Sequence, residues 1–132
     1  MPVIHITDMA KQHLERMVFF LGSCSTCQEI LKANGLEQRG FRMREIKTEP
    51  ITPAELETMK RLAGSYEGLF SRRAIKYREM GLNKKELKEE DYRRLILKEY
   101  TFLKRPVVIT SERVFIGSEK ATKQALSDHL GA

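Results

Sequence analysis

Val18-Phe19-Phe20-Leu21-Gly22-Ser23-Cys24-Ser25-Thr26-Cys27-Gln28-Glu29-Ile30-Leu31 is the stretch whose reading decides the fold. An apolar run over 18–21 leads into a small polar turn, and the turn leads into a helical pattern that begins at about Cys27. Cys24 and Cys27 are the only cysteines of the chain. A CxxC at a strand-to-helix turn sets its first sulfur at or near a helix N-terminus. Unpaired backbone N–H groups and the helix dipole there stabilise a thiolate. The second thiol lies close enough to attack a mixed disulfide formed on the first. Cys24 is therefore the expected attacking thiolate and Cys27 the resolving thiol, with Ser23, Ser25 and Thr26 around them as candidate substrate contacts.

The pair has two blander readings, buried inert thiols or half of a zinc site. Zinc takes about four ligands, and His5, His13 and His129 stand at no ligand spacing to the cysteines. No metal and no bound organic cofactor is expected.

The elements beyond the cysteines follow from pattern and punctuation. Asn34-Gly35 ends the first helix as a C-cap pair. Phe41 to Ile46 mostly alternates and predicts a second strand. Thr52-Pro53-Ala54-Glu55 is a capping box with proline at the first helical position. Its helix should turn Leu56, Met59 and Leu62 inward and stop near Gly64. Leu69, Phe70, Ala74, Tyr77 and Met80 predict another helix, ended at Gly81 and carrying Arg72, Arg73 and Arg78. A third covers about Glu89 to Lys98, with Tyr92, Leu95, Ile96 and Tyr100 on one face. Pro106 to Ile109 and Val114 to Ile116 form a hairpin around Ser111-Glu112, and Gly117-Ser118 opens a last helix through Ala121, Ala125 and Leu126.

The order is βαβ, three helices, then ββα. Setting aside the helical segment at about 50–101 leaves an α/β, thioredoxin-like three-layer fold. Its four-stranded mixed sheet is split by that insertion between its βαβ and ββα halves. In such a fold the proline at the position of Pro106 is cis and faces the reactive cysteine, offering backbone groups to a substrate. Residues 1–16 read as an N-terminal extension and 17–132 as a single domain.

The 132 residues carry a net charge of +6, from 24 Lys and Arg against 18 Asp and Glu. The excess is spread along the chain. It suits an oxyanion substrate or an acidic protein partner, and it lacks the concentrated stripe of a nucleic-acid binder. No apolar run approaches the roughly 20 residues of a membrane span. The opening residues are broken by His5, Asp8 and Lys11 without a small-residue cleavage site. A cytoplasmic monomer is expected. In that compartment a CxxC is more often catalytic or sensing than a structural staple.

Three segments together resemble the arsenate-reductase-like family (ArsC/Spx), which holds glutaredoxin-linked arsenate reductases and Spx-type transcription regulators. They are Phe19 to Leu31 around the CxxC, Leu69 to Met80 around Ser71-Arg72-Arg73, and Phe102 to Ile109 around Arg105-Pro106. The hairpin ending at Gly117 fits as well, so the resemblance covers about residues 17–130. It implies that Cys24 is the catalytic cysteine. Arg73, or Arg72 one residue away, matches an arginine that assists the cysteine and its bound oxyanion, and Arg105 matches a second. Reductases of the family carry a third arginine just past the hairpin. Allowing one residue of shortening, Gly117 stands there, and the nearest arginine is Arg113. The reductases also use one cysteine and borrow a thiol from glutathione, whereas the redox-sensing regulators carry CxxC. The resemblance thus implies either a thiol reductase supplied by glutathione and glutaredoxin or by thioredoxin, or a regulator that binds RNA polymerase and switches through a Cys24–Cys27 disulfide.

Overall fold

A computed structural model describes residues 16–111 and 113–131. The expected extension over 1–16 lies outside these save for Arg16, whose carbonyl oxygen accepts from the Arg42 N–H at 2.8 Å. The chain separates into two compact units. One comprises the residues up to Glu45 with those from Arg105 onward, and the other is Ile46–Lys104.

The first unit is built on a sheet of β1 (Met17–Phe20), β2 (Arg42–Glu45), β3 (Val107–Ile109) and β4 (Val114–Ile116), in the order β2-β1-β3-β4. β2 runs parallel to β1, whereas β3 is antiparallel to both β1 and β4. The register aligns Met43, Val18, Val108 and Phe115 in one row across the sheet. Because side chains alternate faces along a strand, that row shares a face. It forms a core with Ile30 and Leu31 of α1 (Ser25–Ala33), with Leu36, and with Leu126 of α5 (Lys120–Gly131). Phe19, Val107 and Ile109 on the opposite face are buried too, which is why β1 and β3 read as continuous apolar runs.

The two ends of α1 are set locally. It closes at Asn34-Gly35 as expected: Gly35 takes φ +55°, and the Leu36 N–H reaches back to the Leu31 carbonyl at 3.2 Å. Its start corrects the prediction. The helix begins at Ser25, with Cys24 as its N-cap, so the cap position belongs to the first cysteine itself. At the other end of the unit, α5 starts at Lys120, past Gly117-Ser118, and Ala121 is exposed.

The second unit opens with α2 (Pro53–Ala63). Both bonds of its capping box form: the Glu55 N–H donates to Thr52 Oγ1 at 3.1 Å, and the Thr52 N–H to Glu55 Oε1 at 2.9 Å. Gly64 closes the helix at φ +98°. Leu56 and Met59 are buried and Leu62 half-buried. Thr52→Ala should lower stability by about 1 kcal/mol, read as a lower urea midpoint at unchanged slope.

The helix expected over Leu69 to Met80 is broken in two. Glu67–Leu69 is a 3-10 turn, Phe70 is extended, and only α3 (Ile75–Glu79) is α-helical. Phe70 bridges Leu103 in antiparallel fashion, the Ser71 N–H donates to the Phe102 carbonyl at 2.7 Å, and the Lys104 N–H to that of Leu69 at 2.9 Å. Non-local pairing thus satisfies the backbone that a helix would have satisfied locally. Arg72 and Arg73 accordingly sit in a turn before α3, not on a helix. The unit ends with α4 (Glu89–Lys98), which buries Tyr92, Leu95 and Ile96 as predicted, and a 3-10 turn at Tyr100–Phe102 where Tyr100 is half-buried.

Candidate active site

The carboxyl end of β1 delivers the chain into the cysteine turn. Cys24 adopts φ −90° and ψ 109°, the extended conformation of a helix cap, and its Sγ accepts the Cys27 N–H at 3.5 Å. Sulfur here takes the place of the usual cap oxygen. No acidic side chain occupies the first turn of α1, so the positive end of the helix is left to the thiol. Both cysteines are free thiols, Cys24 half-buried and Cys27 fully buried. Ser23 and Ser25 are exposed and Thr26 half-buried.

The two thiols are driven in opposite directions. Partial burial pushes Cys24 up, but the Cys27 backbone N–H, the Cys27 side chain, the Arg105 charge and the Thr26 N–H outweigh it, and its pKa falls below the ordinary value. Burial dominates at Cys27. With the neighbouring Cys24 sulfur adding to it, and against the Leu21 backbone hydrogen bond and Arg105, the Cys27 pKa is pushed up to about 12. The Cys24 thiol is thus the more acidic of the two, and the Cys27 thiol is held protonated.

Arg105 and Pro106 enter from β3. The register pairs Phe19 with Val107, so Pro106 and Arg105 continue alongside Phe20 and Leu21 at the mouth of the cysteine turn. The Arg105–Pro106 peptide bond is cis, and Arg105 is half-buried with its charge acting on both sulfurs. The Gly117 N–H donates to the Pro106 carbonyl at 2.9 Å. Gly117 has φ +85°, a left-handed conformation that a side chain disfavours. Glycine there has a backbone reason, and an arginine in its place would be strained. Arg113 is no substitute. It precedes β4 at the other end of the hairpin, lies over the Phe115 ring at 4.9 Å, and approaches His129 Nδ1 at 3.5 Å.

Cys24, Cys27, Arg105 and Pro106 therefore meet within one unit. Arg72 and Arg73 belong to the other. Arg72 is engaged there, with Nη2 at 2.7 Å from Glu67 Oε2 and 2.9 Å from the Tyr92 hydroxyl. Arg73 is exposed. Two residues at the cysteine turn carried no motif: Glu45 Oε1 accepts the Gly22 N–H at 3.2 Å, and Gln28 Nε2 donates to the Gly22 carbonyl at 3.3 Å. The one sequence signal for Glu45 is a carboxylate closing the second strand. Among the described residues, no group of three or more His, Cys, Asp or Glu could hold a metal ion, and no helix is long and apolar enough to cross a membrane.

An α/β fold with a four-stranded mixed sheet and a CxxC capping the helix after its first strand defines the thioredoxin-like class. Within that class the chain belongs to the ArsC family, whose model matches residues 19–126. Solved structures agree on the fold. An ArsC-family-related protein from Bacteroides fragilis superposes with a TM-score of 0.72 at 25% identity, over 85% of this chain and 97% of that one. The arsenate reductase from Vibrio cholerae gives 0.64 at 18% identity, over 85% and 95%. An arsenate reductase-related protein from Brucella melitensis gives 0.62 at 19%, over 84% and 92%. No protein of curated function matches the chain.

Proposed function

We propose that the chain is a thiol-dependent oxidoreductase of the arsenate-reductase type, with Cys24 as nucleophile and Cys27 as resolving thiol. The observation that carries this reading is Cys24 standing as the cap of α1, its sulfur held by the Cys27 N–H while both thiols are free. The Cys24 thiolate attacks an oxidised centre and forms a covalent adduct, and the displaced group leaves with a proton. Cys27 then gives up its proton and attacks Cys24 Sγ. The adduct bond breaks, two electrons pass to the substrate, and a Cys24–Cys27 disulfide remains. Glutathione with glutaredoxin, or thioredoxin, restores the dithiol, and the reaction runs in the cytoplasm on a monomer.

Arg105 stabilises negative charge at the nucleophile and on the substrate. Arg73 is the second candidate for that role, Arg72 being tied to Glu67 and Tyr92. Ser23, Ser25, Thr26 and the backbone at Pro106 line the approach. A tetrahedral oxyanion is held here without the third arginine, a loss of about 1.5–3 kcal/mol of charge-assisted hydrogen bonding. The reductase reading therefore extends to related oxidised substrates beside arsenate.

The test is arsenate reduction by the purified protein, coupled to NADPH oxidation through the glutaredoxin–glutathione and thioredoxin systems in separate assays. Turnover with one of them identifies the donor. Absence of turnover with both, from protein whose Cys24 alkylates rapidly, removes arsenate and leaves disulfide substrates.

The CxxC and the glycine at 117 favour a second reading, an Spx-type regulator that binds RNA polymerase and switches through the same disulfide. Capture of polymerase subunits from lysate by only one redox form of the chain would support it. Capture by neither form would end it.

A further inference from the structure

The cysteine turn is tied down at a residue that holds no sulfur. Gly22 is gripped on both sides of its backbone, by the Glu45 carboxylate on its N–H and the Gln28 amide on its carbonyl oxygen. The grips come from different elements. Glu45 ends β2, where the parallel register sets it opposite Phe20, and Gln28 stands in the first turn of α1. The carboxylate lies over the glycine itself: a Cβ at Gly22 would meet Glu45 Cγ and Oε1 at 3.7 Å. On one side of Gly22, the Leu21 carbonyl accepts the Cys24 N–H at 3.0 Å, and the Leu21 backbone hydrogen-bonds Cys27. On the other, Ser23 leads directly to the capping sulfur. Gly22 is thus held between β2 and α1, two residues before Cys24.

We propose that Glu45 and Gln28 are positioning residues for the thiol chemistry, pinning Gly22 from strand and helix so that Cys24 stays in its cap geometry and Cys27 stays against Leu21. The inference rests on the reductase reading of the cysteine pair. It also makes a claim about sign. A carboxylate acting through its charge would oppose thiolate formation, so its removal would make Cys24 more reactive. A carboxylate acting as a hydrogen-bond acceptor does the reverse: its loss frees the turn, weakens the cap and makes Cys24 less reactive.

The experiment is the pH profile of Cys24 alkylation by iodoacetamide in the full chain, located by peptide mass analysis, for wild type, Glu45→Ala, Glu45→Gln and Gln28→Ala. Glu45→Ala and Gln28→Ala should each shift the inflection upward and slow alkylation at neutral pH about fivefold, the size of one lost hydrogen bond. Glu45→Gln keeps an acceptor oxygen without the charge and should restore most of the wild-type rate. Profiles of the two alanine variants superposing on wild type would overturn the proposal. Glu45→Gln and Glu45→Ala both reacting faster than wild type would overturn it too, in favour of a charge effect. A wild-type Cys24 no faster than a free thiol would remove the reductase reading and this inference with it. Fast wild-type alkylation with unmoved variants removes this inference alone.

Discussion

Cys24→Ser should abolish thiol-dependent turnover, while Cys27→Ser should leave a protein that attacks its substrate once and stops. The reason is the inequality of the two thiols. Cys24 gains its thiolate from the Cys27 N–H, the helix terminus and Arg105, and a serine hydroxyl there keeps the cap but stays protonated. With no nucleophile formed, the remaining activity is that of the uncatalysed reaction. Cys27 is fully buried, with its pKa pushed up to about 12, so in the proposed mechanism it does not compete for substrate and enters only after an adduct on Cys24 brings an electrophile beside it. Cys27→Ser therefore leaves the first step intact and removes the second. Incubation with a disulfide or with glutathione plus oxidant should then yield a stable mixed disulfide at Cys24 by intact mass. Persistent turnover in Cys24→Ser would show that the site assignment is wrong. Failure of Cys27→Ser to accumulate an adduct would show that resolution comes from an external thiol.

Legibility from sequence follows the distance over which each feature is determined. The capping box Thr52-Pro53-Ala54-Glu55, the Asn34-Gly35 closure and the CxxC turn are local, and each forms as its residues predict, apart from the earlier start of α1. That difference is itself local: the Cys24 sulfur takes the cap and leaves Ser25 and Thr26 as the first helical residues. The sheet was legible because β1 and β3 are buried on both faces and read as apolar runs. What failed is non-local. Leu69 and Phe70 fit a helical period with Tyr77, yet Phe70 bridges Leu103 and the Leu69 carbonyl takes the Lys104 N–H, more than 30 residues on, and pattern cannot weigh a bridge against a helix. The partners of Arg72, Glu67 in a 3-10 turn and Tyr92 on α4, become its neighbours only on folding and leave no mark in the sequence. Glu45 was invisible for the same reason: it is 23 residues from the Gly22 N–H it accepts. Gly117 is the opposite case. It first reads as a missing arginine, and its φ of +85° gives the glycine a backbone role beside Pro106.

Phe70→Ala should be among the most destabilising single substitutions in the chain, costing about 3–5 kcal/mol. The ring is fully buried and meets three others: Tyr92 edge-on at 4.9 Å, Phe102 stacked at 5.0 Å and Tyr77 edge-on at 5.9 Å. Truncation removes the transfer free energy of the ring, leaves a cavity that the bridged backbone on either side restrains from collapsing, and deletes aromatic pairs worth roughly 0.5–1.5 kcal/mol each. Against a total stability of about 5–15 kcal/mol for a single domain, that is a large fraction. Thermal unfolding by circular dichroism should shift down by roughly 10–20 °C. Ile75→Ala is the control: Ile75 lies five residues away on α3 and is 77% exposed, so its loss should move the midpoint by little. Comparable shifts for the two variants would mean that Phe70 does not hold the centre of this cluster. A large shift confined to Phe70 would tie the stability of the 46–104 unit to the ring cluster of Phe70, Tyr77, Tyr92 and Phe102.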